Sequence, residues 1–183
     1  NQFGYGQVAM SPFALLVSIA ERSRRNASEL PQQIEVVTYW RGVGFMLAGY
    51  EFVADMGQVA EILQPPRMTK VPGVRSWVLG VANVRGRLVP VMDLAGMLGL
   101  TGKANWRSRR VLVVEQGDVL TGLLVDAVLG MQQFPMDTMS ELAQVDPALE
   151  KYTRHGFDRN EKVWSIFRID ELIQSPEFMQ IAV

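Results

Sequence analysis

The chain has 183 residues, of which 48% are hydrophobic and 20% are charged, and its formal net charge is −1. This composition is typical of a folded domain, and the near-zero charge argues against binding to nucleic acid through a broad basic surface. The absence of cysteine excludes a disulfide framework, a thiolate nucleophile and a cysteine-ligated metal, and no apolar run approaches the roughly 20 residues of a membrane span. We therefore expect no cofactor, no bound metal and no direct membrane insertion.

The first predicted element is an amphipathic helix in an N-terminal extension, residues 1–34. Ser11 is a favourable N-cap and Pro12 suits the first helical position. Apolar residues then recur at the spacing of one helix face, and arginines that complement the helix dipole follow them. Pro31 is expected to end any continuation. We expect the apolar stripe to pack on the main body; a docking helix for a partner is the alternative. The stripe consists of Phe13, Leu16, Val17 and Ala20, widened by Leu15 and Ile19.

From residue 43 onwards the pattern changes to short apolar strands separated by turns. A short helix or turn is expected at 95–100. A terminal helix is expected at 171–181, interrupted at Pro176. The predicted strands are 43–48, 51–56, 59–63, 80–84, 88–93, 110–115, 119–125, 128–134 and 163–169.

A weak internal repeat divides this part of the chain into two lobes, residues 43–100 and 110–173, joined by the polar linker 101–109. Each half opens with a hairpin and closes with an apolar strand that ends in an aspartate, Asp93 or Asp170. Many short strands of this kind are typical of small closed barrels. Since each lobe is too small to bury a large core alone, we expect the two lobes to share apolar surface.

The most informative segment is the turn Arg85-Gly86-Arg87 between two apolar strands. It offers two cations and a glycine but no acid, thiol or imidazole, so it suits contact with a partner better than a reaction. The Arg85 guanidinium can hold a partner's carboxylates or carbonyls, or it can brace the turn by pairing with a carboxylate such as Asp93. Gly86 is expected to adopt a positive φ, and Asn83 is expected to hydrogen-bond the turn backbone. Asp93, at a strand end, is expected to cap the following turn.

Four other features carry weaker functional hypotheses. Trp77 follows a Pro-Gly pair and is either an interface residue or an anchor in the core. His155, the one histidine of the chain, falls in a predicted polar loop without a catalytic motif. The basic run 107–110 hints at nucleic-acid binding, but a solvated linker explains it better. The methionines of the second half, Met131, Met136 and Met139, fit gap-filling in the core better than an adaptable contact surface.

Taken in order, the motifs resemble the CheW family, adaptors that couple chemoreceptors to a histidine kinase. Asn83-Val84-Arg85-Gly86 matches the family's Asn-x-Arg-Gly, Pro90-Val91-Met92-Asp93-Leu94 its Pro-Val-x-Asp-Leu, and Leu98-Gly99 the Leu-Gly that follows. The opening hairpin, Val-x-x-Ile-Leu, Val-Pro-Gly and Trp-Val-x-Gly precede them in the family's order. The resemblance spans about residues 43–173, although 152–164 departs from the family pattern. The N-terminal helix and the sequence around Arg85 are most similar to the PilI branch, which serves type IV pilus chemosensory systems.

The resemblance implies a mainly β fold over residues 35–183, with two SH3-like five-stranded barrels around a shared hydrophobic core, plus terminal helices. It implies a non-catalytic adaptor in the cytoplasm, at receptor arrays on the inner face of the membrane, that controls twitching motility. The implied partners are the regulatory domain of a CheA-like histidine kinase and the cytoplasmic tip of a methyl-accepting chemoreceptor, and not nucleic acid. The residues assigned to these contacts are Asn83, Arg85, Gly86, Arg87 and Trp77, with Gly86 and Asp93 also structural. The alternatives are a general protein-interaction module of small-barrel type and a nucleic-acid-binding barrel.

Overall fold

The computed structural model describes residues 11–26, 34–102 and 104–181, and the chain divides into two compact units between Val36 and Val37. In the first unit, the predicted N-terminal helix is confirmed as α1 (Pro12–Asn26). Ser11 caps it as expected, because its Oγ accepts a hydrogen bond from the Ala14 amide at 3.2 Å. The apolar side chains of α1 are exposed, and Pro31 lies outside the described residues. None of the described helices is long and apolar enough to cross a membrane.

The second unit is mainly β, as predicted. Its strands are β1 (Tyr39–Leu47), β2 (Tyr50–Asp55), β3 (Val59–Leu63), β4 (Val78–Val84), β5 (Arg87–Asp93), β6 (Arg110–Gln116), β7 (Val119–Val125), β8 (Ala127–Pro135), β9 (Met139–Glu141), β10 (His155–Arg159) and β11 (Lys162–Ile166). Its helices are α2 (Leu94–Met97), α3 (Ile169–Gln174) and α4 (Pro176–Met179), with short 3-10 helices at Met56–Gln58, Trp106–Ser108 and Met136–Thr138. The strands form two sheets, in the orders β8-β1-β2-β11-β10-β9 and β3-β6-β7-β5-β4.

The two sheets do not follow the sequential lobes 43–100 and 110–173. The six-stranded sheet joins the first hairpin, β1 and β2, to the late strands, and the five-stranded sheet joins the hairpin of β6 and β7 to β3, β4 and β5. Each hairpin is joined on both sides: β1 pairs with β8 and β2 with β11 in one sheet, and β6 pairs with β3 and β7 with β5 in the other. Each half of the chain therefore gives its opening hairpin to the other half's sheet. One sheet has six strands where the resemblance implied five.

Each sheet curls around a small cluster of its own. Phe134 of β8 stacks on Phe157 of β10 with ring centroids 4.5 Å apart. Because β8 is one edge of the six-stranded sheet and β10 lies near the other edge, this contact requires the sheet to curl. In the five-stranded sheet, Glu61 of edge strand β3 lies 2.8 Å from Arg85, which follows edge strand β4, and this contact requires the same curvature. The expectation of barrel-like lobes agrees with this arrangement.

A larger core lies between the sheets and is shared by both, as predicted. Phe45 and Phe52 of the first hairpin and Leu112 and Leu123 of the second are members of this one cluster, each at most 1% exposed. Phe167, which follows β11, makes edge contacts with the rings of Phe45 and Phe52. The apolar runs of β6 and β7 are therefore buried on both faces, since Val111 and Leu124 enter the small cluster of their own sheet.

Most predicted elements are present, with small changes of boundary. The terminal helix breaks at Pro176, and Ser175 caps α4 by accepting a hydrogen bond from the Phe178 amide at 3.3 Å. The strand expected at 163–169 ends at Ile166, where α3 soon follows. Strand β10 was not predicted, so His155 begins a strand and does not lie in a loop.

Candidate partner-binding site

The turn between β4 and β5 is a tight two-residue loop. Val84 pairs directly with Arg87, which leaves Arg85 and Gly86 as the loop. Both have positive φ, 52° at Arg85 and 79° at Gly86, which is the backbone of a type I′ turn. The Gly86 amide donates to Asn83 Oδ1 at 2.9 Å, so the asparagine stabilises the turn as predicted. The turn therefore presents Arg85 at the tip of a rigid hairpin.

Arg85 joins the two edges of the five-stranded sheet. Its Nη2 lies 2.8 Å from Glu61 Oε1. Glu61 is on β3 and Arg85 follows β4, and these strands are opposite ends of the sheet order. The arginine side chain is 80% exposed, whereas that of Glu61 is only 25% exposed. Arg85 therefore has the ion pair expected of a brace, but its partner is Glu61 of another strand and not Asp93.

Arg87 forms a second ion pair, which is bidentate, with Glu115 near the end of β6. Nη1 and Nη2 of Arg87 donate to the two carboxylate oxygens at 3.2 and 2.9 Å. These hydrogen bonds hold the pKa of Glu115 below its ordinary value, and the same bonds raise the pKa of Arg87. The surface at this end of the sheet thus carries two guanidinium groups, each held by one carboxylate.

Apolar side chains are exposed beside these charges and along the margins of the shared core. Leu88, next to Arg87, is 72% exposed, and Ile62, next to Glu61, is 41% exposed. Ile62 pairs with Leu112 of the shared core, and residues directly opposite in a sheet point to the same face. On the other sheet, Met131 is 58% exposed and is the partner of the core residue Val43. The shared core therefore continues on both sheets into exposed apolar side chains.

The structure brings four of the five predicted contact residues together and separates the fifth. Asn83, Gly86 and the two arginines form the hairpin tip, whereas Trp77 precedes β4 at the other end. The strand separates Trp77 from Asn83 by about 20 Å. Trp77 is half-buried and packs on the shared core. It is therefore a core anchor in this structure.

Asp93 does not cap the turn as expected. It occupies the N-cap position of α2, but its side chain accepts no capping hydrogen bond. Its amide donates to the Trp77 carbonyl at 2.7 Å, which ties the ends of β4 and β5 together. The carboxylate lies over Gly96, where a Cβ would stand 3.0 Å from Asp93 Oδ2. Asp93 thus favours a glycine at this position of α2.

Two acidic residues of the site were not predicted from the sequence. Glu61 interrupts an otherwise apolar strand, and Glu115 ends another just before a turn. An acid inside an apolar strand is a detectable signal, but nothing local in the sequence says which cation it pairs with. The methionines also differ from expectation, because Met131 and Met136 are exposed and only Met139 packs on a core cluster.

Comparison with known proteins identifies the family of the chain. The family model described as CheW-like domain matches residues 41–177. Protein PilI of Pseudomonas aeruginosa is 51% identical over 174 residues, which cover 94% of this chain and 97% of that protein. Chemotaxis protein CheW of Helicobacter pylori is 26% identical over 136 residues, covering 72% of this chain and 80% of that protein.

A solved structure shows the same fold. The scaffolding protein TtCheW from Thermoanaerobacter tengcongensis superposes with a TM-score of 0.68 at 23% identity, covering 76% of this chain and 96% of that one. The hairpin that carries Arg85 lies inside the region that the family model matches. Since the family model covers well over half of the residues, the chain belongs to the CheW-like domain family.

Proposed function

We propose that this protein is a non-catalytic adaptor that couples chemoreceptors to a CheA-like histidine kinase, in a chemosensory system that controls type IV pilus twitching motility. The similarity to PilI along 94% of the chain supports the pilus system, and the similarity to several CheW proteins supports the coupling role. The observation that carries the proposal is the hairpin tip, where the Asn-x-Arg-Gly motif presents a guanidinium that is 80% exposed.

The chemistry of the tip suits a protein contact. A guanidinium offers five donors in a fixed fork, and a rigid hairpin loses little conformational freedom when a partner binds. Glu61 holds the Arg85 side chain in place without covering it. Asn83, Gly86 and Arg87 complete the contact by fixing the backbone and adding a second cation.

The receptor tip is a helical hairpin, so its recognition requires an apolar groove. The margins of the shared core supply exposed apolar side chains on both sheets, Ile62 on one and Met131 on the other. An amphipathic helix that lays its apolar face between them would extend the shared core outward. The kinase regulatory domain then binds a separate surface, and the adaptor controls kinase activity by fixing the geometry of the two partners.

The proposal includes the domain boundaries and the place in the cell where the protein acts. Residues 1–34 are the extension and residues 35–183 the CheW-like domain. The protein acts in the cytoplasm, at receptor arrays on the inner face of the membrane. It needs no metal or cofactor, so metal analysis of the purified protein is expected to find less than one bound ion per chain, and no ATP hydrolysis is expected.

The test is a binding titration of the full chain with the purified cognate kinase regulatory domain and receptor tip. Arg85→Asn removes the guanidinium and keeps a residue that tolerates the left-handed backbone of the turn. Truncating a buried charge contact in an interface costs roughly 2–5 kcal/mol, which is about 30-fold or more in affinity. We expect Arg85→Asn to lose one partner by this factor with its melting temperature preserved.

Two results would contradict the assignment. If folded Arg85→Asn binds both partners with unchanged affinity, the hairpin is not a contact and the interface lies elsewhere. If the variant unfolds and loses both partners together, Arg85 is a brace for the sheet edges. A salt-dependent titration with double-stranded DNA separates the adaptor from the alternative of a nucleic-acid-binding barrel.

A further inference from the structure

The segment between α2 and β6 presents an aromatic side chain on a rigid turn. This segment, Asn105–Arg110, is called the Trp106 turn below. Trp106 is 55% exposed at the start of the 3-10 helix Trp106–Ser108. Exposed tryptophan on a fixed backbone is unusual outside interfaces, where tryptophan is enriched among the residues that dominate binding energy.

Hydrogen bonds fix this turn from several sides. Asn105 Oδ1 accepts from the Arg107 amide at 3.0 Å and so caps the 3-10 helix. Ser108 Oγ lies within hydrogen-bond distance of two carbonyls, that of Asn105 at 2.8 Å and that of Asp126 at 2.9 Å, and its single hydroxyl hydrogen is shared between them, which ties the turn to the corner between β7 and β8. Arg110 Nη1 donates to the carbonyls of Arg107 and Arg109. The backbone is therefore ordered before any partner arrives, and docking costs little conformational entropy.

The turn is basic, and its cations are placed differently from those of the hairpin. The Arg109 guanidinium carbon lies 5.6 Å from the centre of the Trp106 ring, close enough for a cation–π contact. Arg85 and Arg87 each pair with a glutamate, but within the described part of the chain no carboxylate lies in ion-pair distance of Arg107 or Arg109. Arg107 is exposed, so its guanidinium is available to a carboxylate of another molecule, whereas Arg109 is half-buried and its Nε is enclosed.

The Trp106 turn and the hairpin tip lie at opposite ends of the same strand. Arg110 begins β6, and Glu115, which holds Arg87, is near its end. At the rise of an extended strand this separation is about 17 Å. The two loops therefore lie at different ends of the sheet, far enough apart for each to hold a different partner.

We propose that the Trp106 turn is a second docking point, which binds an acidic segment of the partner that the hairpin tip does not hold. The Trp106 indole fills an apolar slot between the partner's side chains, Arg107 pairs with the partner's carboxylates, and Arg109 supports the indole ring. The inference rests on the proposed adaptor function and adds the surface that separates the two partners. Protein fits better than nucleic acid, because the basic patch is narrow and the net charge of the whole chain is −1.

The experiment compares matched variants of the full chain in titrations with the cognate kinase regulatory domain and the receptor tip. Trp106→Ala and Arg107→Glu are each expected to weaken binding to one partner by about tenfold or more and to leave the other unchanged. Arg85→Asn is expected to show the complementary pattern. Arg67→Glu, on an exposed arginine outside both loops, is the charge-matched control and is expected to bind both partners like the unmodified chain. Trp106→Phe is expected to restore most of the affinity.

The folding of each variant is measured separately from its binding. Circular dichroism and melting temperature are expected to be unchanged in Trp106→Ala, because the side chain is mostly exposed. The inference is overturned if the folded Trp106 and Arg107 variants bind both partners normally, or if they lose the same partner as Arg85→Asn. It is also overturned if the turn binds single-stranded DNA in a Trp106-dependent way. If the unmodified chain binds neither partner, the proposed function itself is wrong and this inference falls with it.

Discussion

At the scale of single residues, Arg85 combines a guanidinium with a backbone that arginine rarely adopts. A left-handed conformation costs a residue with a side chain roughly 1–2 kcal/mol, and Asn or Gly would occupy the first loop position at lower cost. The φ of 52° at Arg85 is therefore retained against a local preference. Such an outlier at an exposed turn supports a functional rather than a structural reason for the side chain.

The first prediction follows from this conflict between side chain and backbone. Arg85→Ala loses the pair with Glu61 and keeps the unfavourable φ, whereas Arg85→Asn loses the pair but gains an Asn-Gly turn. We expect Arg85→Asn to be more stable than Arg85→Ala by roughly 0.5–1 kcal/mol in urea unfolding. An alanine variant as stable as the asparagine variant would contradict the strain argument.

A second residue-scale prediction concerns Gly122 on β7. A Cβ built at this position stands 2.7 Å from Val111 Cγ1 and 3.4 Å from Val91 Cγ2, inside the five-stranded sheet. The strand partners are buried and cannot move apart freely. We expect Gly122→Ala to lower stability by about 1–3 kcal/mol in chemical unfolding. The double variant with Val111→Ala makes room and is expected to recover part of the loss; no recovery would mean that the backbone, not this contact, requires glycine.

The charged residues show where local inference ends. The roles of Asn83 and Gly86 follow from turn chemistry, which depends on neighbouring residues only, and the structure has both. The partner of Arg85 depends on the curl of the sheet, which brings β3 next to β4. No pattern within the hairpin contains that information. The nearest acid in the sequence, Asp93, is therefore not the one that pairs with Arg85.

At the scale of elements, strands with an apolar run and a clear turn were predicted well. The strand at 59–63 matches its predicted bounds, and the hairpin of β6 and β7 extends its prediction by a single residue. Strand β10 was missed because its sequence, His-Gly-Phe-Asp-Arg, is polar and contains a glycine. Gly156 is needed there by packing, since a Cβ would stand 2.7 Å from Leu142 and from the Trp164 carbonyl. That requirement is tertiary and leaves no local strand pattern.

The third prediction concerns α1. Leu16 lies in the middle of its apolar stripe and is 65% exposed, so a charge at this position keeps its hydration. We expect Leu16→Glu to change the free energy of unfolding by less than about 0.5 kcal/mol, as for other exposed sites. Leu123→Glu, which places a charge at a fully buried position of β7, is the control and is expected to prevent folding. A Leu16→Glu variant that unfolds early would mean that the stripe is buried in solution.

At the scale of the whole molecule, the exchange of hairpins between the halves is the feature that the sequence did not reveal. The internal repeat suggested two consecutive lobes, but β1 and β2 complete the sheet of the late strands and β6 and β7 complete that of β3, β4 and β5. In an isolated half, the opening hairpin would lack the strands with which it pairs. The arrangement is therefore stable only when both sheets are present. The shared core was predictable because short lobes cannot bury enough apolar surface alone. The strand pairing was not, because it joins residues far apart in sequence.

A fourth prediction uses the ion pairs that are spread over this architecture. Hydrogen bonds from Arg87 lower the pKa of Glu115. Burial acts against ionisation of Asp170, yet hydrogen bonds from Arg168 and Gln58 outweigh it and lower that pKa as well. A carboxylate whose pKa is lowered in the folded state stabilises the fold at pH values above its ordinary pKa. This contribution is lost as the pH falls through the pKa of the folded state.

We therefore expect the urea midpoint to be level near neutral pH and to fall below about pH 4.5, the ordinary value for glutamate. Asp170→Asn is expected to be less stable than the unmodified chain at pH 7, with the difference closing as the pH falls towards 3. Repeating the titration in about 1 M salt screens the exposed pairs and flattens the curve. A midpoint that rises on acidification would contradict the sign.

The last prediction tests whether the two sheets unfold as one unit. Phe167 is fully buried in the shared core, where its ring contacts Phe45 and Phe52 at their edges and stacks with Tyr152. Removing a buried phenylalanine ring costs about 3–5 kcal/mol. Because each half of the chain supplies a hairpin to the other sheet, this loss cannot be confined to one sheet.

One tryptophan reports on the six-stranded sheet, and another reports on the shared core where the five-stranded sheet borders it. Trp164 lies in the cluster of the six-stranded sheet, and Trp77 packs on the shared core beside β4 of the other sheet. Chains that keep one of them and carry phenylalanine at the other tryptophans are expected to show coincident unfolding curves, and Phe167→Ala is expected to shift both curves by the same amount. Separate midpoints for the two reporters, or a shift of the Trp164 curve alone, would show that the sheets unfold independently and that the exchanged hairpins do not couple them.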